Sequence, residues 1–86
     1  MKVFVPSQLY SYTAGQREVD VRGSTVDSVL HELDRRYPGL RFRIINEQEH
    51  VRDHIRIFIN GEQTFELGMQ LKAMDEMRIV GALSGG

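Results

Sequence analysis

The sequence predicts an α+β fold in which one main helix packs across a β-sheet. Stretches with apolar residues at every second position lie near both ends of the chain, a pattern typical of half-buried strands. Between them, one stretch has apolar residues at helical spacing, and an Asn-Gly pair after a later alternating stretch indicates a tight hairpin turn. The chain has 86 residues, of which 41% are hydrophobic. That is enough for one modest core, so we expect a single domain spanning residues 1–86.

The N-terminal quarter of the chain predicts a two-stranded hairpin. The alternating apolar residues are Met1, Val3 and Val5 in the first strand and Val19 and Val21 in the second. Pro6 ends the first strand because proline lacks the backbone N–H donor. The polar connection between the strands is short, so we expect them to pair antiparallel.

Residues 23–39, GSTVDSVLHELDRRYPG, predict the main helix. Its apolar residues at helical spacing are Val26, Val29, Leu30, Leu33 and Tyr37. Ser24 is the expected N-cap, and Asp27 in the first turn interacts favourably with the helix dipole. Pro38 and Gly39 then end the helix.

The C-terminal half predicts a second hairpin and a closing strand. In HIRIFINGEQTF, isoleucines alternate with other residues, and Asn60-Gly61 favours a type I′ turn. DEMRIVGAL alternates in the same way and predicts the last strand. The residues expected to face the helix are Ile55, Ile57, Ile59, Met77 and Ile79.

Residues 40–54 have no sustained periodicity, and we expect an irregular segment with a short helical turn. Its apolar cluster consists of Phe42, Ile44 and Ile45. The methionines expected to fill the core beside the closing strand are Met69, Met74 and Met77.

Composition excludes several classes of function. Eleven basic against twelve acidic residues give a net charge of −1, so no basic field favours nucleic acid. The absence of cysteine excludes disulfides, thiolate metal sites and a cysteine nucleophile. The N-terminal sequence has neither a secretory signal nor an apolar stretch long enough to span a membrane, so we expect a cytoplasmic protein without membrane partners.

The order hairpin, helix, irregular connection, hairpin and final strand is that of the β-grasp fold, in which one helix packs across a mixed sheet. The pieces YPGL, HIRIFINGEQ and DEMRIVGALSGG, in that order, resemble the MoaD/ThiS-type sulfur-carrier family. That family includes the small subunit of molybdopterin synthase, the thiamine sulfur carrier and the cysteine-biosynthesis carrier. Its fold is ubiquitin-like.

The resemblance implies that Gly86 is the reacting residue. In the family, an ATP-dependent activating enzyme adenylates the terminal carboxylate, and sulfur from a donor replaces AMP to give a thiocarboxylate. A downstream biosynthetic enzyme then consumes the sulfur to make molybdopterin, thiazole, cysteine or another thiolated product. The resemblance therefore implies a carrier that is not itself an enzyme and binds no cofactor or metal, with ATP used by its partner.

The last residues suit delivery of a chain end into a narrow channel. Gly85 and Gly86 lack Cβ atoms, so they pass through a confined space and adopt angles that other residues avoid. Residues 82–86 bury almost nothing, so we expect a flexible tail. Five extended residues reach about 17 Å, at roughly 3.3 to 3.6 Å each.

A docking surface is expected on the side of the sheet that faces away from the helix. Strand alternation turns a set of aromatic, aliphatic and basic residues to that side. This set contains Phe4, Arg56, Phe58, Arg78 and Val80, with Leu83 as an extra anchor near the tail. Alternatively, residues 40–54 or a second copy of the chain cover the two aromatic residues.

Two other functions remain open from the sequence. The same activated terminus serves a ubiquitin-like protein modifier, which is joined to lysines of its targets. A non-catalytic β-grasp binding module in which the Gly-Gly pair is incidental is the third alternative. Neither requires a change in the predicted fold.

Other chemistry-bearing side chains are assigned no role. Ser84 lacks the glycine two residues before it that a nucleophile elbow requires. His50 and His54 have the i, i+4 spacing of helical metal ligands, but no third histidine accompanies them and Arg52 lies between them, so we expect a solvated pair. His31 is expected to be an ordinary surface residue.

Overall fold

Residues 1–81 are described by the computed structural model of the chain, and within them five strands form one mixed sheet. The strands are β1 (Lys2–Phe4), β2 (Glu18–Asp20), β3 (Ile55–Ile59), β4 (Glu62–Thr64) and β5 (Glu76–Gly81). The helices are α1 (Val26–Arg36) and α2 (Leu40–Ile44), and a 3-10 turn spans Ser7–Leu9. The predicted α+β class with one main helix is confirmed.

The sheet has the order β2-β1-β5-β3-β4. Both predicted hairpins are present, because β1 pairs antiparallel with β2 and β3 pairs antiparallel with β4. The last strand lies in the centre, parallel to β1 and antiparallel to β3. Asn60 and Gly61 both have positive φ, 51° and 88°, as a type I′ turn requires.

The main helix begins one residue later than the sequence predicted. Thr25, not Ser24, is the N-cap: its Oγ1 accepts a hydrogen bond from Ser28 N at 3.1 Å, and Thr25 N donates to Ser28 Oγ at 2.9 Å. This reciprocal capping box satisfies two backbone donors at once. Ser24 instead lies beside the loop before β5, where its carbonyl oxygen accepts from Leu71 N at 2.8 Å.

The first turn of α1 is also tied to that loop. Val26 N donates to Met69 O at 3.1 Å and Asp27 N donates to Leu67 O at 2.8 Å. These carbonyl oxygens thus accept hydrogen bonds from backbone N–H groups that have no partner within the helix itself. The start of α1 is therefore closed by the protein itself and presents no ready anion site.

The connection over residues 40–54 contains the expected short helical turn as α2. Leu40 and Ile44, one helical turn apart, are both fully buried, as is Ile45. Phe42 lies on the opposite side of this five-residue helix and is 53% exposed. An antiparallel bridge between Ile45 and Val51 joins the two ends of the loop that follows α2.

The core lies between α1, α2 and one face of the sheet. Alternate residues of β1, β2, β3 and β5 contribute to it, and the helix contributes its apolar stripe. The buried strand residues include Val3, Val19, Ile55, Ile57, Ile59, Met77 and Ile79, and the helical ones are Val26, Val29, Leu30, Leu33, Leu40 and Ile44.

One of the three methionine predictions is wrong. Met77 is fully buried and Met69 packs against the core, but Met74 is 90% exposed. Met74 belongs to the turn before β5, which is closed by a hydrogen bond from Lys72 N to Asp75 Oδ2 at 2.7 Å. That turn directs the Met74 side chain into solvent. Across residues 1–81, no helix combines the length and apolarity needed to cross a membrane.

Candidate functional site

The side of the sheet that faces away from α1 carries a row of aligned side chains. In the strand register, Phe4 of β1 lies opposite Arg78 of β5, which in turn lies opposite Phe58 of β3. Residues that pair across strands point to the same face. The row therefore places one arginine between two aromatic rings, and we call this side of the sheet the open face.

Arg78 is held against its aromatic neighbour. Its guanidinium carbon lies 4.3 Å from the centre of the Phe4 ring, which is the geometry of a cation–π interaction. Such a contact fixes the long side chain while the charged group stays accessible to a partner. Phe4 and Phe58 are half-buried, so part of each ring also faces outward.

The neighbouring row contains the other two predicted strand residues. Arg56 of β3 lies opposite Val80 of β5, and Val80 is 36% exposed. The Arg56 guanidinium is turned toward its own backbone, donating to the carbonyl oxygens of Asp53 and Ile55. These hydrogen bonds hold the Arg56 guanidinium near residues 53–55, at the edge of the row.

A shallow concavity of about 580 Å³ follows the open face. Its lining contains Phe4, Phe58, Asn60, Gly61, Glu76, Arg78 and Val80. No residue from 40–54 lines it; that segment lies on the other side of the sheet, with α2 against α1. The alternative in which residues 40–54 cover the two aromatic rings is therefore wrong.

The structure thus brings Phe4, Arg56, Phe58, Arg78 and Val80 together on one face, as strand alternation indicated. Leu83, Gly85 and Gly86 lie outside the described residues, as does the whole of the predicted tail over residues 82–86. β5 nevertheless carries Arg78 and Val80 of the open face and continues to residue 82. The open face is therefore joined through this strand to the segment that contains the predicted reacting residue.

Gly81, the last residue of β5, lies in a second groove of about 350 Å³. We call it the tail-base groove, and its polar and aromatic lining consists of Gln8, Phe42, Arg43, Arg52 and His54. Gln8 Nε2 donates to the Gly81 carbonyl oxygen at 3.3 Å. A Cβ atom on Gly81 would lie only 2.5 Å from that nitrogen, so glycine permits this close contact.

Sequence analysis did not identify the tail-base groove. Its residues come from the 3-10 turn, from α2 and from the loop before β3, which only the folded chain brings together. The available signal was the position of His54, which directly precedes a strand that pairs with the last strand.

Arg41 is a second residue that the sequence did not single out. Its side chain is only 13% exposed, and its Nη2 donates to Asp27 Oδ1 at 2.8 Å and to Glu49 Oε1 at 2.9 Å. These contacts join α1, α2 and the loop after α2. The hydrogen bonds from Arg41 lower the pKa of the Glu49 carboxyl, and the bond to Glu49 raises the pKa of Arg41.

The histidines do not form a metal site among the residues that the structure describes. His50 and His54 are both exposed, and they lie on either side of the Ile45–Val51 bridge rather than on one helix. His31 is exposed on α1, with Nε2 3.4 Å from Asp27 Oδ2. The expectation of an ordinary surface histidine at position 31 agrees with this placement.

The chain is similar to known proteins over nearly its whole length. The model of the ThiS family matches residues 3–86. The sulfur carrier protein CysO of Mycobacterium tuberculosis is 28% identical over 89 residues, covering 98% of this chain and 96% of that protein. The small archaeal modifier protein 1 of Haloferax volcanii is 37% identical over 76 residues, covering 85% of this chain and 86% of that protein.

Solved structures of similar proteins share the fold of this chain. A chain in the crystal structure of the Amycolatopsis orientalis BexX/CysO complex superposes with a TM-score of 0.90 at 27% identity. The match covers 99% of this chain and 98% of that chain. The β-grasp prediction is confirmed.

Proposed function

Because this chain belongs to the ThiS family, we propose that it is a sulfur carrier whose Gly86 carboxylate is the reacting group. An oxygen of this carboxylate attacks the α-phosphorus of ATP in an activating enzyme, and pyrophosphate leaves. Hydrosulfide delivered by a sulfur donor then attacks the carbonyl carbon, AMP leaves with the electrons of the broken C–O bond, and the S–H proton is lost to solvent. The product is a thiocarboxylate, which a biosynthetic enzyme consumes.

The adenylation step is required by the chemistry of carboxylates. A carboxylate is already negative and has no good leaving group, whereas an acyl-adenylate expels AMP readily. The carrier supplies no catalytic side chain in this scheme. Its contribution is to dock on each partner and to present its carboxyl group.

One observation carries the proposal: the chain matches a sulfur carrier, CysO, over nearly the full length of both proteins. The arrangement of β5 supports it, since this strand runs from the open face toward Gly85 and Gly86. A partner that binds the open face is then also close to residue 82. The CysO chain found in a complex with BexX favours a partner enzyme for this chain as well.

The deciding experiment removes Gly86 and measures adenylation. The full chain and a chain ending at Gly85 are each incubated with the host's ATP-dependent activating enzyme, and ATP–pyrophosphate exchange is followed. We expect exchange with the full chain and at least a ~100-fold loss after truncation, because the acceptor carboxylate then falls about 3.5 Å short. Unfolding curves of the two chains should coincide. Absence of exchange with the full chain would refute the carrier and modifier functions together, leaving a non-catalytic binding module, and equal exchange by both chains would refute Gly86 as the reacting residue.

The open face is proposed as the docking surface, with Leu83 as an added anchor. Phe58→Ala and Val80→Ala should each weaken binding of the activating enzyme by about 1 to 2 kcal/mol, since both side chains line the concavity. Phe65→Ala is the matched control, because Phe65 is 70% exposed and does not line it. Calorimetric titration measures the three affinities. Equal affinities for all three variants would place docking elsewhere.

A protein modifier is the second candidate, favoured by the 37% identity to small archaeal modifier protein 1. Both functions begin with adenylation, so the product separates them. Intact-mass analysis of the chain from its native host would show one oxygen replaced by sulfur in a carrier. In a modifier, tryptic peptides would carry Gly86 linked to a lysine of another protein. The same analysis establishes whether Gly86 bears the free carboxyl group.

A further inference from the structure

The tail-base groove differs in charge from the molecule as a whole. The chain has a net charge of −1, yet Arg43, Arg52 and His54 line the groove, and among residues 1–81 no aspartate or glutamate lines it. Two guanidinium groups are therefore concentrated at one end of the sheet. Such a local concentration of charge is a means of selecting and steering a partner of opposite sign.

Arg52 is held in place within this groove. Its Nε donates to the Phe42 carbonyl oxygen at 2.7 Å, and its guanidinium carbon lies 4.5 Å from the centre of the Phe42 ring. These contacts occupy one edge and one face of the guanidinium. Within residues 1–81 no hydrogen bond from its Nη atoms competes with a partner, and the fixed side chain loses less entropy on binding than a free arginine would.

Arg43 is positioned by a similar but looser contact. Its guanidinium carbon lies 5.6 Å from the centre of the Tyr12 ring. The ion pairs made by arginines within residues 1–81 belong to Arg35 and Arg41. Arg41 forms ion pairs with Asp27 and Glu49, whereas Arg43 and Arg52 have no carboxylate partner in that part of the chain.

The groove lies where the chain leaves the sheet. Gly81 pairs with Ile55 at the end of β5, and His54 immediately precedes Ile55. Because Arg43, Arg52 and His54 lie beside Gly81, a protein that receives the chain beyond Gly81 has its channel mouth near them. Carboxylates suit guanidinium groups in both charge and geometry.

We propose that the tail-base groove binds a carboxylate-bearing rim around the channel of the protein that receives the C-terminal segment. The inference rests on the proposed function, and it adds the chemistry of the partner surface. The ionic contact steers the carrier so that the chain end meets the channel. Docking thus combines apolar contacts on the open face with charged contacts at the tail base.

The phosphates of ATP are a less suitable occupant of the groove. The Gly86 carboxyl group is five residues beyond Gly81, up to about 17 Å away when the segment is extended into a channel. Nucleotide bound at the reacting carboxyl is then out of reach of Arg43 and Arg52. The groove is placed to contact the outside of the channel.

The test compares charge reversals at matched positions. Arg43→Glu and Arg52→Glu change the groove, whereas Arg22→Glu makes the same change at an exposed residue beside Met1, at the opposite end of the sheet. Arg43→Lys keeps the charge. Association of each variant with the host's purified activating enzyme is measured by stopped-flow at low and high salt, together with ATP–pyrophosphate exchange and thermal unfolding.

At low salt, we expect each groove reversal to slow association about 10-fold or more, with Arg22→Glu and Arg43→Lys close to the unmodified chain. The difference should largely vanish at about 1 M salt, where the Debye length is about 3 Å. Wild-type association by both reversals, or equal slowing by Arg22→Glu, would overturn the proposed groove contact while leaving adenylation intact. Failure of the unmodified chain to be adenylated would instead refute the proposed function, and this inference with it.

Discussion

At the scale of single residues, Gly23 fixes how the chain meets the start of α1. A Cβ atom at this position would lie 2.6 Å from Val29 Cγ2 and 2.9 Å from Val29 N. Real Cβ atoms do not approach other atoms so closely, and Val29, near the start of α1, is fully buried. The absence of a side chain at Gly23 therefore permits the close packing between this segment and the helix.

Gly23→Ala should destabilise the fold by about 1 to 3 kcal/mol, since the added methyl group overpacks a site bounded by backbone and a buried valine. Gly68→Ala is the control, because within residues 1–81 nothing lies within 4 Å of a Cβ at position 68. Urea unfolding followed by circular dichroism compares both variants with the unmodified chain. Equal midpoints for the two alanine variants would show that the helix start shifts freely.

Arg41 illustrates a residue whose role could not be predicted from the sequence. Its partners Asp27 and Glu49 are 14 and 8 residues away along the chain. No local pattern pairs these three residues, and Arg43, the other arginine of α2, is exposed instead. Only the packing of α2 beside α1 selects Arg41 for burial.

At the scale of elements, the capping box determines where α1 begins. Sequence analysis chose Ser24 because serine is a favoured N-cap and the apolar stripe follows it. In the fold, hydrogen bonds from Val26 N and Leu71 N to the neighbouring backbone fix the register of this segment. Thr25 then faces Ser28, and the reciprocal pair forms there.

Thr25→Ala should cost about 1 kcal/mol of stability, because Ser28 N loses its acceptor at the helix start. Ser24→Ala should cost little, since Ser24 contributes its backbone carbonyl to the fold and alanine keeps it. Thermal unfolding of the two variants measures the difference. A larger loss for Ser24→Ala than for Thr25→Ala would contradict this account of the helix start.

The strands could be predicted from the sequence because each one contains local signals. Alternation at Ile55, Ile57 and Ile59 and the Asn60-Gly61 turn are local signals, and the structure confirms both. The sheet order is not a local property. The central place of β5 depends on pairing with β1, more than 70 residues earlier in the chain, and sequence analysis did not predict it.

At the scale of the whole molecule, carboxylates paired in the fold make stability depend on pH. The side-chain hydrogen bond from Arg35 lowers the pKa of Glu32, and the bond from Arg41 lowers the pKa of Glu49. Hydrogen bonds from the Lys72 backbone and the Asn60 side chain lower the pKa of Asp75. A carboxyl group whose pKa is lower in the folded state binds protons more weakly there than in the unfolded chain.

The free energy of unfolding should therefore fall as pH is lowered from about 4.5 toward the lowered folded-state pKa values of these groups. Above that window, their contribution is fully present. Glu49→Gln removes one of them, so the difference in stability between this variant and the unmodified chain should shrink as pH falls. Urea unfolding between about pH 3 and pH 7 measures it, and a difference independent of pH would be evidence against the Arg41–Glu49 contribution.

The two parts of the candidate site differed in how far the sequence could predict them. Phe4, Phe58, Arg78 and Val80 share a face because strand alternation and register place them there. The tail-base groove combines elements that are not neighbours in the chain, and it exists only when α2 folds against the core. Periodicity can find the first kind of surface, but long-range packing is needed for the second.

The central position of β5 has a mechanical consequence. Force applied along the chain beyond Gly81 acts in line with a strand that is hydrogen-bonded on both sides, to β1 and to β3. Such a load is shared by many bonds in shear, whereas an edge strand peels away one bond at a time. A partner that pulls on the chain beyond Gly81 would therefore load the centre of the sheet, where the fold resists unfolding most strongly.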